Sequence, residues 1–169
     1  SLVLNAYVRS LARQRRFPEA LTASAEGMRL AGLESDGRSA QVALLQSRSI
    51  AEYGSGDKEK AARTLEEAVG LAYGYAAPFE AIRLHAMAGR RVAEAGRRER
   101  ALELADRALE LADGHRKELT ATRWMVLIDA AIVYSKAGRC DRVAGLVSEV
   151  DELTGGKMVG DWNRNRYAL

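Results

Sequence analysis

The stretch AEAGRRERALELADRALELADG, residues 93–114, reads as a turn, a helix and a stop. Whether it is a lone amphipathic helix or one copy of a repeating unit decides the fold. Its relatives in the same chain answer the question. The order is a small residue or Arg at a turn, then charged residues, then an Ala or Val that begins an apolar stripe. It recurs as RRFPEALTASAEGMRLAG from Arg15, SGDKEKAARTLEEAVGLAYG from Ser55, AGRRERALELADRALELADG from Ala95 and AGRCDRVAGLVSEVDELTGG from Ala137. The equivalent stripe residues Ala20, Ala61, Ala101 and Val143 follow one another at 41, 40 and 42 residues. A fixed period in that range is the signature of a solenoid. Gly32, Gly74, Gly114 and Gly155 close the four segments, where a glycine in the left-handed conformation is expected to end each helix.

Between the copies lie second helical patterns, at 2–14, 38–53, 79–95 and 118–137, with Pro18 and Pro78 in first-turn positions where a missing N–H costs nothing. The expected unit is a helix hairpin of about 40 residues, repeated four times. One such hairpin carries apolar residues on two faces and buries both only by stacking on its neighbours. Ala20, Ala61, Ala101, Gly89 and Ala131 supply the small residues that let helices cross closely. The array is expected to span 1–156, with 157–169 forming a capping helix, Trp162 packed on the last hairpin, or the start of a further repeat.

Composition agrees with an all-α chain. Of 169 residues, 47% are hydrophobic, 29% charged and 6% aromatic, with two prolines. That excludes a disordered tail and favours helix throughout. The longest apolar runs, such as WMVLI at 124–128, are cut short by Asp129 and fall well below the roughly 20 residues of a membrane span. The opening SLVLNAYVRSLARQRR meets Asn5 and Arg9 before a signal-like region can form. The single Cys140 has no partner for an internal disulfide, in keeping with a reducing compartment, so a soluble cytoplasmic location is expected. A first residue of Ser1 rather than Met suggests a piece of a longer protein. A formal charge of +3 neither demands nor excludes nucleic acid.

These residues resemble the tetratricopeptide repeat family. Its first helix carries a large residue, a small one and an aromatic, and its second carries Ala, a large residue and Ala. Leu127, Ala131 and Tyr134 followed by Val143 and Val147, or Leu4, Val8 and Leu11 followed by Ala20, follow that sense, and GDKEKAARTLEEAVGLA from Gly56 is nearest to the second helix. The period near 41 departs from the family's usual 34, and no repeat has the terminal Pro. Longer repeats look like those of the superhelical sensor domains in MalT-type activators and helix-turn-helix bacterial regulators. The resemblance implies a right-handed α-α superhelix of about four hairpins whose first helices line a concave groove.

In that groove the resemblance places Arg9, Arg48 and Arg90 at one repeated position, with Ile132 fourth. Neighbours at three- and four-residue spacing are Asn5, Ala6 and Arg13, then Gln41, Leu45 and Glu52, then Arg83, Met87 and Glu94, then Met125, Ile128 and Asp129. The expected ligand-binding set is Asn5, Arg9, Gln41, Arg48, Arg83, Met87, Arg90, Met125, Ile128 and Ile132. Guanidiniums beside Met and Ile suit a peptide or protein segment with acidic and apolar groups, or a small amphiphilic or anionic effector. The alternative is that Arg48 with Glu52 and Arg90 with Glu94 are surface pairs worth a few tenths of a kcal/mol.

Other chemistry finds little support. His85 and His115 lie a whole helix apart without Cys or His at metal-ligand spacing, so neither metal nor cofactor is expected. His85 stands where the family places a large packing residue. GSGDK at 54–58 lacks the Ser or Thr of a phosphate loop and reads as a turn. Adjacent carboxylates such as Glu66 and Glu67 point about 100° apart. Arg97, Arg98 and Arg100 open a helix, where the dipole disfavours cations, so nearby carboxylates or an anionic partner would relieve them. No aromatic residues interleave with them as a nucleic-acid surface needs, so nucleic acid is expected only through a separate domain. The expected function is a non-catalytic binding module, the sensor domain of a bacterial transcriptional regulator. The alternative is a scaffold that oligomerises through its convex face or open ends, since Leu2, Leu4 and Tyr7 would be exposed unless an upstream repeat or a second copy covers them.

Overall fold

A computed structural model describes residues 2–35, 37–74, 77–119 and 122–155. They form eight helices and no strand: α1 Leu2–Arg13, α2 Phe17–Ala31, α3 Arg38–Gly54, α4 Lys58–Ala72, α5 Pro78–Glu94, α6 Arg98–Gly114, α7 Arg123–Lys136 and α8 Cys140–Thr154. The pairs α1/α2, α3/α4, α5/α6 and α7/α8 are the four hairpins. Residues 157–169, with the expected capping helix and Trp162, lie outside the described residues.

Each hairpin closes on the same three-residue turn. Its middle residue is left-handed: Arg15 (φ 59°), Gly56 (φ 96°), Gly96 (φ 84°) and Gly138 (φ 71°). The N–H of the next residue reaches back five positions, from Arg16 to Leu11, Asp57 to Glu52, Arg97 to Val92 and Arg139 to Tyr134, at 2.8–3.1 Å. The left-handed residue itself donates three positions back, to Ala12, Tyr53, Ala93 and Ser135. This paired pattern satisfies carbonyls that a helix end leaves open. The four turns lie 41, 40 and 42 residues apart, the spacing of the stripe residues.

The glycines expected to stop the second helices behave differently from one another. Gly74 (φ 85°) and Gly155 (φ 59°) are left-handed, whereas Gly32 keeps helical angles (φ −67°, ψ −17°) and Gly114 is the last residue of α6. Left-handed geometry is thus regular inside the hairpins and irregular between them. α7 also begins at Arg123 rather than near 118. Turns occupy 115–119, and Leu119 drops into the core beside Ile82, Ala86, Ala108, Ala112 and Val126.

Packing follows the turn register. Ala20, Ala61 and Ala101, five residues after each left-handed position, are buried, as are Val8, Ser49, Gly89 and Ala131, seven before. A Cβ on Gly89 would stand 3.3 Å from the backbone of Ala101 and of Ala105, so α5 and α6 touch through their main chains there. Among first helices, α1 approaches α3 and α5 approaches α7 within 8 Å between Cα atoms, but α3 and α5 do not. Leu45 and Leu84 fill that step with Val42, Ala68 and Ala72. Among the described residues no two second helices approach within 8 Å. The first-helix layer is therefore the inside of the curve and the second-helix layer the outside.

Arg15 is the sole described non-glycine residue with positive φ, a conformation that costs an L-residue about 1–2 kcal/mol. Arg15→Gly is expected to stabilise the fold by up to about 1 kcal/mol after the added chain entropy of glycine. Gly56→Ala is expected to destabilise it by a similar amount, about 1 kcal/mol; urea unfolding of the two variants checks both signs.

Candidate functional site

Counting back from the left-handed residue identifies the inner surface. Six positions before it stand Arg9, Ile50, Arg90 and Ile132; ten before, Asn5, Gln46, Ala86 and Ile128; thirteen before, Ala43, Arg83 and Met125 in the last three hairpins. With 3.6 residues per turn these rows share one helix face. Met87 and Asp129 flank it nine positions before the turn, on the side of the preceding first helix. Of the expected groove residues, Asn5, Arg9, Arg83, Met87, Arg90, Met125, Ile128 and Ile132 thus lie on or beside this surface, and all are at least partly exposed.

Arg48 and Gln41 do not. Arg48 stands eight positions before its turn, where the equivalents Ala88 and Ala130 are fully buried. Two residues turn a helix by about 200°, so Arg48 faces away from Ile50. It lines an outer cleft of about 220 Å³ with Leu21 and Ala25 of α2 and Lys60 of α4. There its Nε donates to Glu52 Oε1 at 2.8 Å, and the buried Glu52 accepts a second bond from Thr64 Oγ1 at 2.6 Å. Gln41 turns the same way, beside Gly32 at the end of α2. The expected arginine column is therefore an alternation of Arg and Ile. Matching Arg to Arg slipped α3 out of the turn register by two residues; counting from the turns would have found Ala43, Gln46 and Ile50.

Side-chain bonds join successive first helices across this surface. Ser47 Oγ donates to Asn5 Oδ1 at 2.6 Å, Arg83 Nη2 to Gln46 Oε1 at 2.8 Å and Arg90 Nη1 to Asp129 Oδ1 at 3.4 Å. Arg91 stacks on the Tyr53 ring, 3.7 Å from its centroid. Arg90 also pairs with Glu94, so its charge is largely answered within the protein. Arg9 and Arg83 take part in no ion pair among the described residues. Between and beyond them lie Ile50, 39% exposed, and the partly exposed Met125, Ile128 and Ile132. The surface can thus offer two guanidiniums without ion-pair partners, Arg83 bonded only to the Gln46 amide, with apolar contacts between them.

On the outer layer the charges are mostly answered. The Arg97 and Arg100 guanidiniums reach Glu66 of α4 at 2.6 and 2.9 Å. Burial pushes the Glu66 carboxyl up, but the two arginines outweigh it and hold it below the usual range. This carboxylate relieves part of the basic cluster at the start of α6. Arg123, almost wholly buried, spans Asp113 and Glu149 at 2.6 and 2.7 Å. Burial, with a hydrogen bond to Asp106, raises the Tyr134 hydroxyl to about 12. GSGDK forms the second hairpin turn, with Asp57 capping α4 by accepting from the Lys60 N–H at 3.0 Å. Among the described residues no three His, Cys, Asp or Glu side chains gather as a metal site requires, and no helix is long and apolar enough to cross a membrane.

Burial also pushes the Asp129 carboxyl above its ordinary range, and Arg90 offsets only part of that. The folded state then holds this proton more tightly than the unfolded chain, so stability falls as pH rises through the raised value. Asp129→Asn is expected to be more stable than the parent at pH 7, with the difference shrinking as pH falls through the carboxylate range; thermal melts across pH 3–7 check the trend.

No protein-family model matches the chain, and no curated protein does. In shape it is similar to two crystal structures of a putative kinesin light chain with nearly identical TPR-like repeats from Podosopora anserina, with TM-scores of 0.75 and 0.74. Sequence identity is 13% to each, over 92% of this chain and 74% and 75% of theirs. At that identity the likeness carries the fold alone: the chain is an all-helical, TPR-like superhelix of stacked hairpins.

Proposed function

We propose that this chain is a non-catalytic module that receives a peptide or protein segment on its inner surface. The observation that carries this is the pair of guanidiniums without ion-pair partners, Arg9 and Arg83, set among Ile50, Met125, Ile128 and Ile132. A guanidinium grips a carboxylate through two parallel bonds, and solenoids use their concave faces for extended partners. The fitting ligand carries acidic groups separated by apolar ones; a small anionic amphiphile satisfies the same chemistry. As part of this reading the module serves as the sensor region of a bacterial cytoplasmic regulator, which rests on the likeness of its long repeats to those of such proteins. Occupancy would change the curvature of the array and be read by a neighbouring domain.

Selection of random peptides on the whole chain tests this. The expected winners combine Asp or Glu with Leu, Ile or Met. Arg9→Ala and Arg83→Ala are each expected to weaken them about ten- to a hundredfold, since a charge-assisted hydrogen bond contributes about 1.5–3 kcal/mol. Arg48→Ala, at a residue that faces the outer cleft, leaves affinity unchanged. No enrichment, or equal binding by all three variants, overturns the proposal.

A second reading, self-association through the exposed face of α1, is favoured by Val3. Its equivalents Leu44, Leu84 and Val126 are buried against the preceding second helix, whereas Val3 is 82% exposed. On this reading the first helix seats the last hairpin of a second copy. Light scattering is expected to show a mass that rises with concentration and reverts to one chain in Val3→Glu; a monomer at all concentrations ends it.

A further inference from the structure

Eleven positions before each left-handed turn residue the hairpins carry Leu4, Leu45, His85 and Leu127. Leu45 and Leu127 are fully buried. The third hairpin breaks the row with an imidazole, and a cleft opens beside it. The cleft, about 350 Å³, lies on the outer layer where α4 and α6 stand apart. Val69 and Ala72 of α4 and Leu84, Ala81 and His85 of α5 line it, with Leu111 and Arg107 of α6. Tyr73, 86% exposed, stands at its edge. The volume falls at the lower end of the range for small-molecule sites.

The polar side chains with ionisable groups in the lining are His85 and Arg107, along with the Tyr73 hydroxyl. His85 Nδ1 lies 2.7 Å from the Ala81 carbonyl, so in the neutral ring it donates there and leaves Nε2 as an acceptor. Arg107 pairs with Glu110 on the same helix, their side chains 49% and 70% exposed, an arrangement that a better-placed anion displaces easily. A histidine placed only to fill the leucine position would sit in contact with the core; here it borders open space.

We propose that this cleft is a second binding site, for a compact hydroxylated aromatic carboxylate. The ring lies against Val69, Ala81 and Leu111, the carboxylate takes the Arg107 guanidinium, and the hydroxyl donates to His85 Nε2. The site lies on the layer opposite the inner surface and is independent of what that surface binds.

The probes are 4-hydroxyphenylacetate and 4-hydroxyphenylpropionate, with phenylacetate lacking the hydroxyl and 4-ethylphenol lacking the charge. Titration of the whole chain followed by ¹H–¹⁵N and methyl NMR is expected to show saturable shifts at Val69, Leu84, His85 and Leu111. Phenylacetate and 4-ethylphenol are each expected to bind at least fivefold more weakly. His85→Leu restores the leucine of the row, so it folds, and is expected to bind the hydroxylated acids at least tenfold more weakly. Arg107→Ala is expected to lose the same factor for the acids while leaving 4-ethylphenol unchanged. Absence of saturable shifts, or full binding by His85→Leu, overturns the proposal. Arg83→Ala, altered on the opposite layer, is expected to bind all four probes as the parent does; a change there equally overturns it.

Discussion

The left-handed residue between the two helices of each hairpin governs everything built on it. At Gly56, Gly96 and Gly138 the absence of a Cβ makes that conformation inexpensive, and at Arg15 the surrounding bonds impose it. Once the N–H of the following residue bonds five positions back, the second helix can leave in only one direction. Every side chain in the hairpin then acquires a fixed azimuth relative to that turn. Four turns of one geometry produce rows of equivalent residues, and the rows decide what is core, what is inner surface and what is outer cleft.

Within that frame the second and third hairpins carry the departures. Arg48 and Glu52 occupy positions that Ala88 and Val92 fill one repeat later and Ala130 and Tyr134 two repeats later. An ion pair, with Thr64 bonded to the buried carboxylate, thus stands in for apolar packing. In the next hairpin His85 stands in for leucine. Both changes stand on first helices but face the outer layer, where the second helices are spread and a polar group can reach an opening. The inner layer keeps its bonds from helix to helix, through Asn5 and Ser47, Gln46 and Arg83, and Arg90 and Asp129.

The repeat, its period, the eight helices and the small residues at their crossings were legible in the chain because alternating turn and stripe leave a local pattern. Ala20, Ala61 and Ala101 carry that pattern by themselves. The inner surface was legible in α1, α5 and α7, where Arg9, Arg90 and Ile132 keep the turn register, and illegible in α3. There Arg48 lies two residues from the position that Ile50 holds, and residue type misled where spacing would not have. The late start of α7 was hidden for another reason: Glu118 and Leu119 suit a helix locally, and only the hole among Ile82, Ala108 and Val126 draws Leu119 into a turn. Partners of charged side chains, such as Glu66 for Arg97 and Arg100, depend on neighbours 31 and 34 residues away, which no local pattern encodes.

The wide step between α3 and α5 divides the superhelix into two stiffer halves. First helices come within 8 Å between Cα atoms in the pairs α1/α3 and α5/α7, but across the middle the inner layer is spanned by leucine side chains, one arginine–amide bond and one arginine stacked on a tyrosine. Side chains yield to rotation more readily than two helices packed directly on one another. The array is therefore a jointed body rather than an evenly springy coil, and any force on its ends is relieved first at that midpoint.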